Sequence, residues 1–196
     1  MCISNKLINL LIVKKLNIST IESCTGGYII NEITNQKDSS KITNGGIVAY
    51  SNNQKINIGI DKSIIDKYGV YSYECSTEMA KVCKNIFSSE IGIGVTGFFS
   101  EINNDNNVIK NGKVHVCIYY NNNEFYDLIN IPDIIKTKSD QKKYICEKTL
   151  NYVYDILIKC WKDLLTILKL FQMVYINKIN SRSYRLFIII SFILYF

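Results

Sequence analysis

The chain has 196 residues, 47% of them hydrophobic and 20% charged, which excludes a disordered polymer and leaves room for one core-bearing domain and a remainder. Its formal charge of +6 comes from lysines scattered along the chain rather than a stripe with interleaved aromatics, so a nucleic-acid groove is not expected. Seven cysteines without a CxxC pair, together with a single histidine, exclude a zinc site or a disulfide framework and point to a reducing, cytoplasmic setting without a metal or cofactor.

In chain order, Lys6 is followed by Leu7-Ile8-Asn9-Leu10-Leu11-Ile12-Val13, which mimics a signal sequence. Asn9 interrupts the run, Lys14 and Lys15 close it and no small-residue cleavage site follows, so an amphipathic first helix is predicted. A strand is expected over Ile18–Glu22, where β-branched residues alternate. Next comes Glu22-Ser23-Cys24-Thr25-Gly26-Gly27, the densest run of small polar residues and glycine, and then a helix ending near Gln36. A strand, a two-glycine turn and a helix aim backbone N–H groups and a helix dipole at one point, where an anion or an oxyanion is best accommodated. On a plainer reading, Thr25 caps the helix and the glycines permit the turn.

Gly45 to Tyr50 reads as a buried strand, with Ser51 capping a helix that carries Lys55 one turn in. Asp61 caps a short helix through Lys67 that Gly69 stops. Ser72 opens a longer helix through Phe87, with Met79, Val82, Cys83 and Ile86 on its inner face. A third strand, Ile91 to Gly97, has glycines that suggest close backbone approach at its end. Phe98 to Asn111 reads as a loose surface loop. Val114–Tyr120 and Phe125–Ile131, joined at Asn121-Asn122-Asn123, form a hairpin, and Gln141 to Lys159 a last long helix. This order predicts an α/β fold, a three-layer α/β/α sandwich on a mixed, mostly parallel sheet occupying residues 1–160.

From Trp161 the character changes: Leu164 to Ile176 is apolar with few breaks, a basic patch follows at Lys178, Arg182 and Arg185, and Leu186–Phe196 is almost wholly apolar. This last run is shorter than the roughly 20 residues that span a bilayer. The stretch reads either as a lipid-facing tail or as a misassigned end of the reading frame, so a membrane contact is expected only through it.

The run Glu22-Ser23-Cys24-Thr25-Gly26-Gly27, followed by Gly45-Gly46-Ile47-Val48-Ala49-Tyr50-Ser51-Asn52 with Lys55, Gly69-Val70-Tyr71-Ser72 and Val95-Thr96-Gly97, resembles the CinA C-terminal domain family in order and spacing. The resemblance runs from about Ile3 to Lys159. It implies an amidohydrolase that converts nicotinamide mononucleotide to nicotinate mononucleotide and ammonia without a metal. Its partner would be this small pyridine nucleotide, and the chain could form a homodimer. On the matching positions Ser23 would be the nucleophile, Lys55 its general base, and Tyr50 would orient or share the proton. Ser40, Thr96 and Gly97 would border the substrate. The N–H groups of Thr25, Gly26 and Gly27 would hold the oxyanion or, equally, the phosphate. The chemistry is sound in itself, because a lysine in a poorly solvated pocket loses its charge readily and can accept a serine proton.

Two departures accompany the resemblance. Where the family has a Gly-Pro-Gly-Gly-type loop, this chain reads Gly97-Phe98-Phe99-Ser100-Glu101-Ile102-Asn103. Where the family carries an arginine before its last helix, here stand Lys136-Thr137-Lys138-Ser139-Asp140-Gln141-Lys142-Lys143. A non-catalytic nucleotide-binding or scaffold module is the alternative these departures raise.

Overall fold

The computed structural model describes residues 3–102 and 108–176; the expectations for Lys178, Arg182, Arg185 and Leu186–Phe196 lie outside the described residues. The chain divides into two compact units, 1–156 and 157–196. In the first, α1 (Ile3–Lys14) leads into β1 (Ile18–Glu22), α2 (Tyr28–Thr34) and, after a 3-10 turn at Ser39–Lys41, β2 (Gly45–Val48). Three helices follow: α3 (Asn52–Asn57), α4 (Lys62–Tyr68) and α5 (Tyr73–Phe87). Then come β3 (Ile91–Phe98), the two-stranded β4 (Glu101–Ile102) and β5 (Val108–Lys110), and the hairpin β6 (Lys113–Tyr120) and β7 (Asn123–Asn130). The last helix, α6 (Lys138–Ile176), contributes to both units.

The main sheet has the order β2-β1-β3-β6-β7. β1 runs parallel to both β2 and β3, β6 turns antiparallel to β3, and β7 pairs antiparallel with β6. The fold is thus a mixed α/β sheet flanked by helices, with the three expected strands as neighbours. Side chains that share a register row share a face. On one face Ser19, Ile21, Gly92 and Gly94 meet α5, whose approach leaves no room for larger residues. A Cβ at Gly92 would stand 2.0 Å from the Ala80 carbonyl oxygen, and one at Gly94 the same distance from that of Ser76. Gly92 and Gly94 therefore serve packing against a helix along the strand, while Gly97 alone marks a close backbone approach at its end, to the Lys113 carbonyl. Ile21, Met79, Cys75 and Cys83 form the core there with Ile60 and Ile65. The other face carries Thr20, Glu22, Ile93, Val95, Val116 and Ile118, all buried, with α2 against β1.

The caps read from the sequence are formed. Ser51, Asp61 and Ser72 each accept a backbone N–H at the start of α3, α4 and α5. Asn121 and Asn122 both have positive φ, 51° and 59°, the conformation that lets a two-residue turn follow the strands' twist. Three expectations are corrected. Ile86 is exposed: it shares the helical stripe of Met79 and Cys83 but stands in the last turn of α5, which ends at Phe87. The segment after Phe98 is not wholly loop but carries β4 and β5, paired through Glu101 and Lys110. The last helix starts earlier, at Lys138, where the Thr137 hydroxyl accepts the Asp140 N–H and donates to the Asp140 carboxylate. With no glycine or proline between Lys138 and Ile176, nothing in the sequence stops it at Lys159.

Candidate active site

β1 is the central strand of the parallel trio, and its two neighbours are reached by connections lying on opposite faces of the sheet. Such a point opens a crevice at the carboxyl ends of the strands. Ser23 sits there, the first residue after β1, with its N–H donated to the Val95 carbonyl of β3. Lys55 reaches the same place from α3. The Ser51 cap fixes the first turn of that helix, so the fourth helical residue points inward. Lys55 is 1% exposed, the largest buried side chain of the core. Its Nζ donates to Ser23 Oγ at 3.1 Å and to the Ala49 carbonyl at 3.0 Å.

Burial lowers the Lys55 pKa from its ordinary value, because the ammonium has lost most of its water. The thiols of Cys75 and Cys24 are its nearest ionisable neighbours. Burial holds them up at about 11 and about 12, so they are neutral at pH 7 and offer Lys55 no counter-charge. A buried amine whose ionisable neighbours are neutral thiols, hydrogen-bonded to a serine hydroxyl, has the chemistry to accept that hydroxyl's proton. Ser23 is itself buried, with Cys24 and Tyr50 beside it in the wall of an open cleft of about 610 Å³.

The glycine turn differs from its expected role. The Glu22 carboxylate turns back and accepts the N–H groups of Ile29 at 3.1 Å and Ile30 at 2.8 Å, together with the Thr20 hydroxyl at 3.1 Å. The protein's own carboxylate thus neutralises the start of α2, which is not open to a bound anion. Gly26 and Gly27 have φ of 63° and 88°, so the turn does require them. The Gly26 N–H is taken by the Ser23 carbonyl, the amides of Cys24 and Thr25 are directed at the Cys24 sulfur, and the Gly27 N–H has no partner among the described residues. Thr25 neither caps the helix nor lines the cleft. It is fully buried, and its hydroxyl has no partner among the described residues.

Tyr50 is 73% exposed and opens onto the cleft, with no hydrogen bond to Ser23 or Lys55 among the described residues. Gly97 also lines the cleft, and a Cβ there would meet the Lys113 carbonyl at 2.3 Å. Thr96 does not open onto it. Its hydroxyl donates to the Val70 carbonyl at 2.7 Å, which holds the segment that carries Tyr71 into the cleft wall. Ser40 lies elsewhere. It is exposed in the 3-10 turn that leads to β2, where the adjoining Ile42 carbonyl takes the N–H of Ile18 at the start of β1. Ser40 is therefore at the amino end of the strands and Ser23 at the carboxyl end.

The structure adds groups that sequence reasoning did not place. Lys136, Lys138 and Lys142 line the same cleft as Ser23, and a Cβ on Gly26 would lie 3.2 Å from Lys142 Nζ. Tyr71 and Phe98 form an aromatic wall, ring centroids 5.5 Å apart. One buried side chain ties these walls together. Gln141 accepts the Ser100 N–H at 2.9 Å and donates to the carbonyls of Ile135 and Lys136. Ser100 in turn accepts the Gly112 N–H at 2.8 Å. The unusual Phe98–Ile102 segment and the lysine-rich 136–143 segment thus form one braced rim. The signal for it was present as the two departures from the family pattern, but nothing local joined them.

The family model of the CinA C-terminal domain matches residues 2–160. This chain belongs to that family. A CinA-like protein of Fervidobacterium nodosum is 42% identical to it over 89 residues, which is 45% of this chain and 22% of that protein. The chain thus matches about a fifth of the length of such relatives. A crystal structure of a CinA superfamily protein from Klebsiella pneumoniae superposes with a TM-score of 0.72 at 18% identity, covering 80% of this chain and 96% of the other. A competence or damage-inducible protein from Enterobacter asburiae gives 0.71 at 21% identity, covering 79% and 96%. These two likenesses concern the fold.

Proposed function

We propose that the chain is a metal-independent amidohydrolase acting on the carboxamide of nicotinamide mononucleotide. The observation that carries the reading is the contact of 3.1 Å between the buried, charge-disfavoured Lys55 amine and Ser23 Oγ at the wall of a cleft. In the reaction Ser23 Oγ attacks the carboxamide carbon as neutral Lys55 takes the hydroxyl proton. The oxyanion forms beside the glycine turn that follows Ser23, whose Gly27 N–H has no partner among the described residues. Lys55 then returns the proton to the departing nitrogen, releasing ammonia, and water hydrolyses the acyl-serine by the same route.

The cleft walls suit the rest of this substrate. The pyridinium ring of the mononucleotide is a cation, and Tyr71 offers it an aromatic ring beside Phe98, whose own ring carries Lys110 Nζ at 4.4 Å. Its phosphate is an anion, and Lys136, Lys138 and Lys142 offer it charge without the bidentate geometry of an arginine. A purely binding role draws on a different observation, the bulk of Phe98, Phe99 and Ile102 in the cleft wall. One assay separates the two. Purified wild type should release ammonia from nicotinamide mononucleotide while Ser23→Ala does not. Wild-type protein that binds the nucleotide, seen by calorimetry, without releasing ammonia would overturn the catalytic reading in favour of the binding one.

A further inference from the structure

The second unit contains the portion of α6 from Leu157 onward, and its exposed surface is unusually apolar. Leu164, Leu165, Ile167, Leu168 and Leu170 are each 37–57% exposed. At about 100° per residue, Trp161, Leu164, Leu165, Ile167 and Leu168 cover roughly half the circumference of the helix. Lys159, Lys162, Asp163, Thr166 and Lys169 gather on the other half, where Leu170 is the exception. Asp163 is the last acidic residue of the chain; Lys169, Lys178, Arg182 and Arg185 follow it without a counter-charge.

We propose that this portion of α6 is an amphipathic helix that lies on the surface of an anionic lipid bilayer. Three observations choose this occupant. A helix pairing with a second copy needs only a narrow seam, two positions in every seven, and would leave much of this apolar half in water. A bilayer surface can cover the whole half while the lysines stay among the headgroups. The cations that continue past the helix match the negative potential of such a surface. Crossing is not the geometry, since among the described residues no helix is long and apolar enough to span a membrane.

Trp161, the only tryptophan, lies on the apolar half and reports on it directly. The test uses the full chain with vesicles of phosphatidylcholine, alone or mixed with phosphatidylglycerol. With the anionic vesicles the Trp161 emission should shift to the blue, be quenched by lipids brominated along the acyl chain, and co-sediment with the vesicles. Phosphatidylcholine alone, or 0.5 M salt, should weaken binding by about tenfold or more. The Leu164→Glu/Leu168→Glu variant changes two exposed side chains, so its thermal transition should be retained while binding and blue shift are lost. Two results would overturn the proposal. One is a blue shift that appears on raising the protein concentration without lipid, alongside a dimer in sedimentation equilibrium, which assigns the face to a second copy. The other is undiminished vesicle binding by the double variant, which places the contact outside this helix.

Discussion

The two walls of the cleft are built in different ways. One is the pair Ser23 and Lys55, placed by short segments that each carry their own instructions: a strand end, a serine cap and a helix of six residues. The other is the rim of Lys136, Lys138, Lys142 and Phe98, whose position depends on Gln141 bridging stretches that lie 41 residues apart at Ser100. The first wall holds groups suited to bond making, and the second holds groups suited to gripping a substrate. Changes to the first should therefore act on kcat and changes to the second on KM.

The largest effect is expected at the pair. Ser23→Ala or Lys55→Met should each lower kcat by roughly a thousandfold or more, with the double variant little worse than either, because the two act as a unit. Additive losses in steady-state assays of nicotinamide mononucleotide hydrolysis would mean the residues work separately. Next comes pH. The Lys55 pKa is lowered by burial, so activity should fall about tenfold per pH unit below that depressed value, with the decline absent from a rate residual in Lys55→Met. Stability carries the same sign. Between the depressed folded value and the ordinary 10.5, the unfolded chain binds more protons, so the wild type gains stability as pH rises through that window. Melting temperatures measured against pH should thus rise for wild type relative to Lys55→Met.

A smaller effect sharpens the contrast. Gln141→Leu leaves the Ser100 N–H and two carbonyls without their partner, which should cost about 1–3 kcal/mol by denaturant unfolding and raise KM more than it lowers kcat. The smallest belongs to the lysines. Lys142→Gln should raise KM by about tenfold with kcat nearly unchanged, the size of one charge-assisted contact to a phosphate. An unchanged KM for the mononucleotide would break the comparison, because the second wall would then not grip the substrate.

What could be read in the sequence follows this division. The sheet and the caps at Ser51, Asp61 and Ser72 were legible because strand alternation and capping are properties of a few consecutive residues. Ser23, Tyr50 and Lys55 were singled out by the resemblance to the CinA C-terminal domain motifs, and the fold brings Ser23 and Lys55 into contact and Tyr50 onto the cleft. The Ser40 expectation shows the limit. Its position in the chain said nothing of which end of the strands it would reach, and the alternation of strand and helix put it at the far one. Thr96 shows another, since a hydroxyl at a strand end can be turned to a neighbouring carbonyl as readily as to a cleft.

By itself the sequence determined the elements, their order and the chemical types around the glycine turn, all of which rest on local periodicity and backbone preference. Only the tertiary structure decided that Glu22 would occupy the helix start in place of an anion, that Lys55 would lose its water, and that three lysines would line the same cleft as Ser23. Each of those depends on what a distant segment places in the same volume, and desolvation in particular is a property of packing that no single stretch of chain carries.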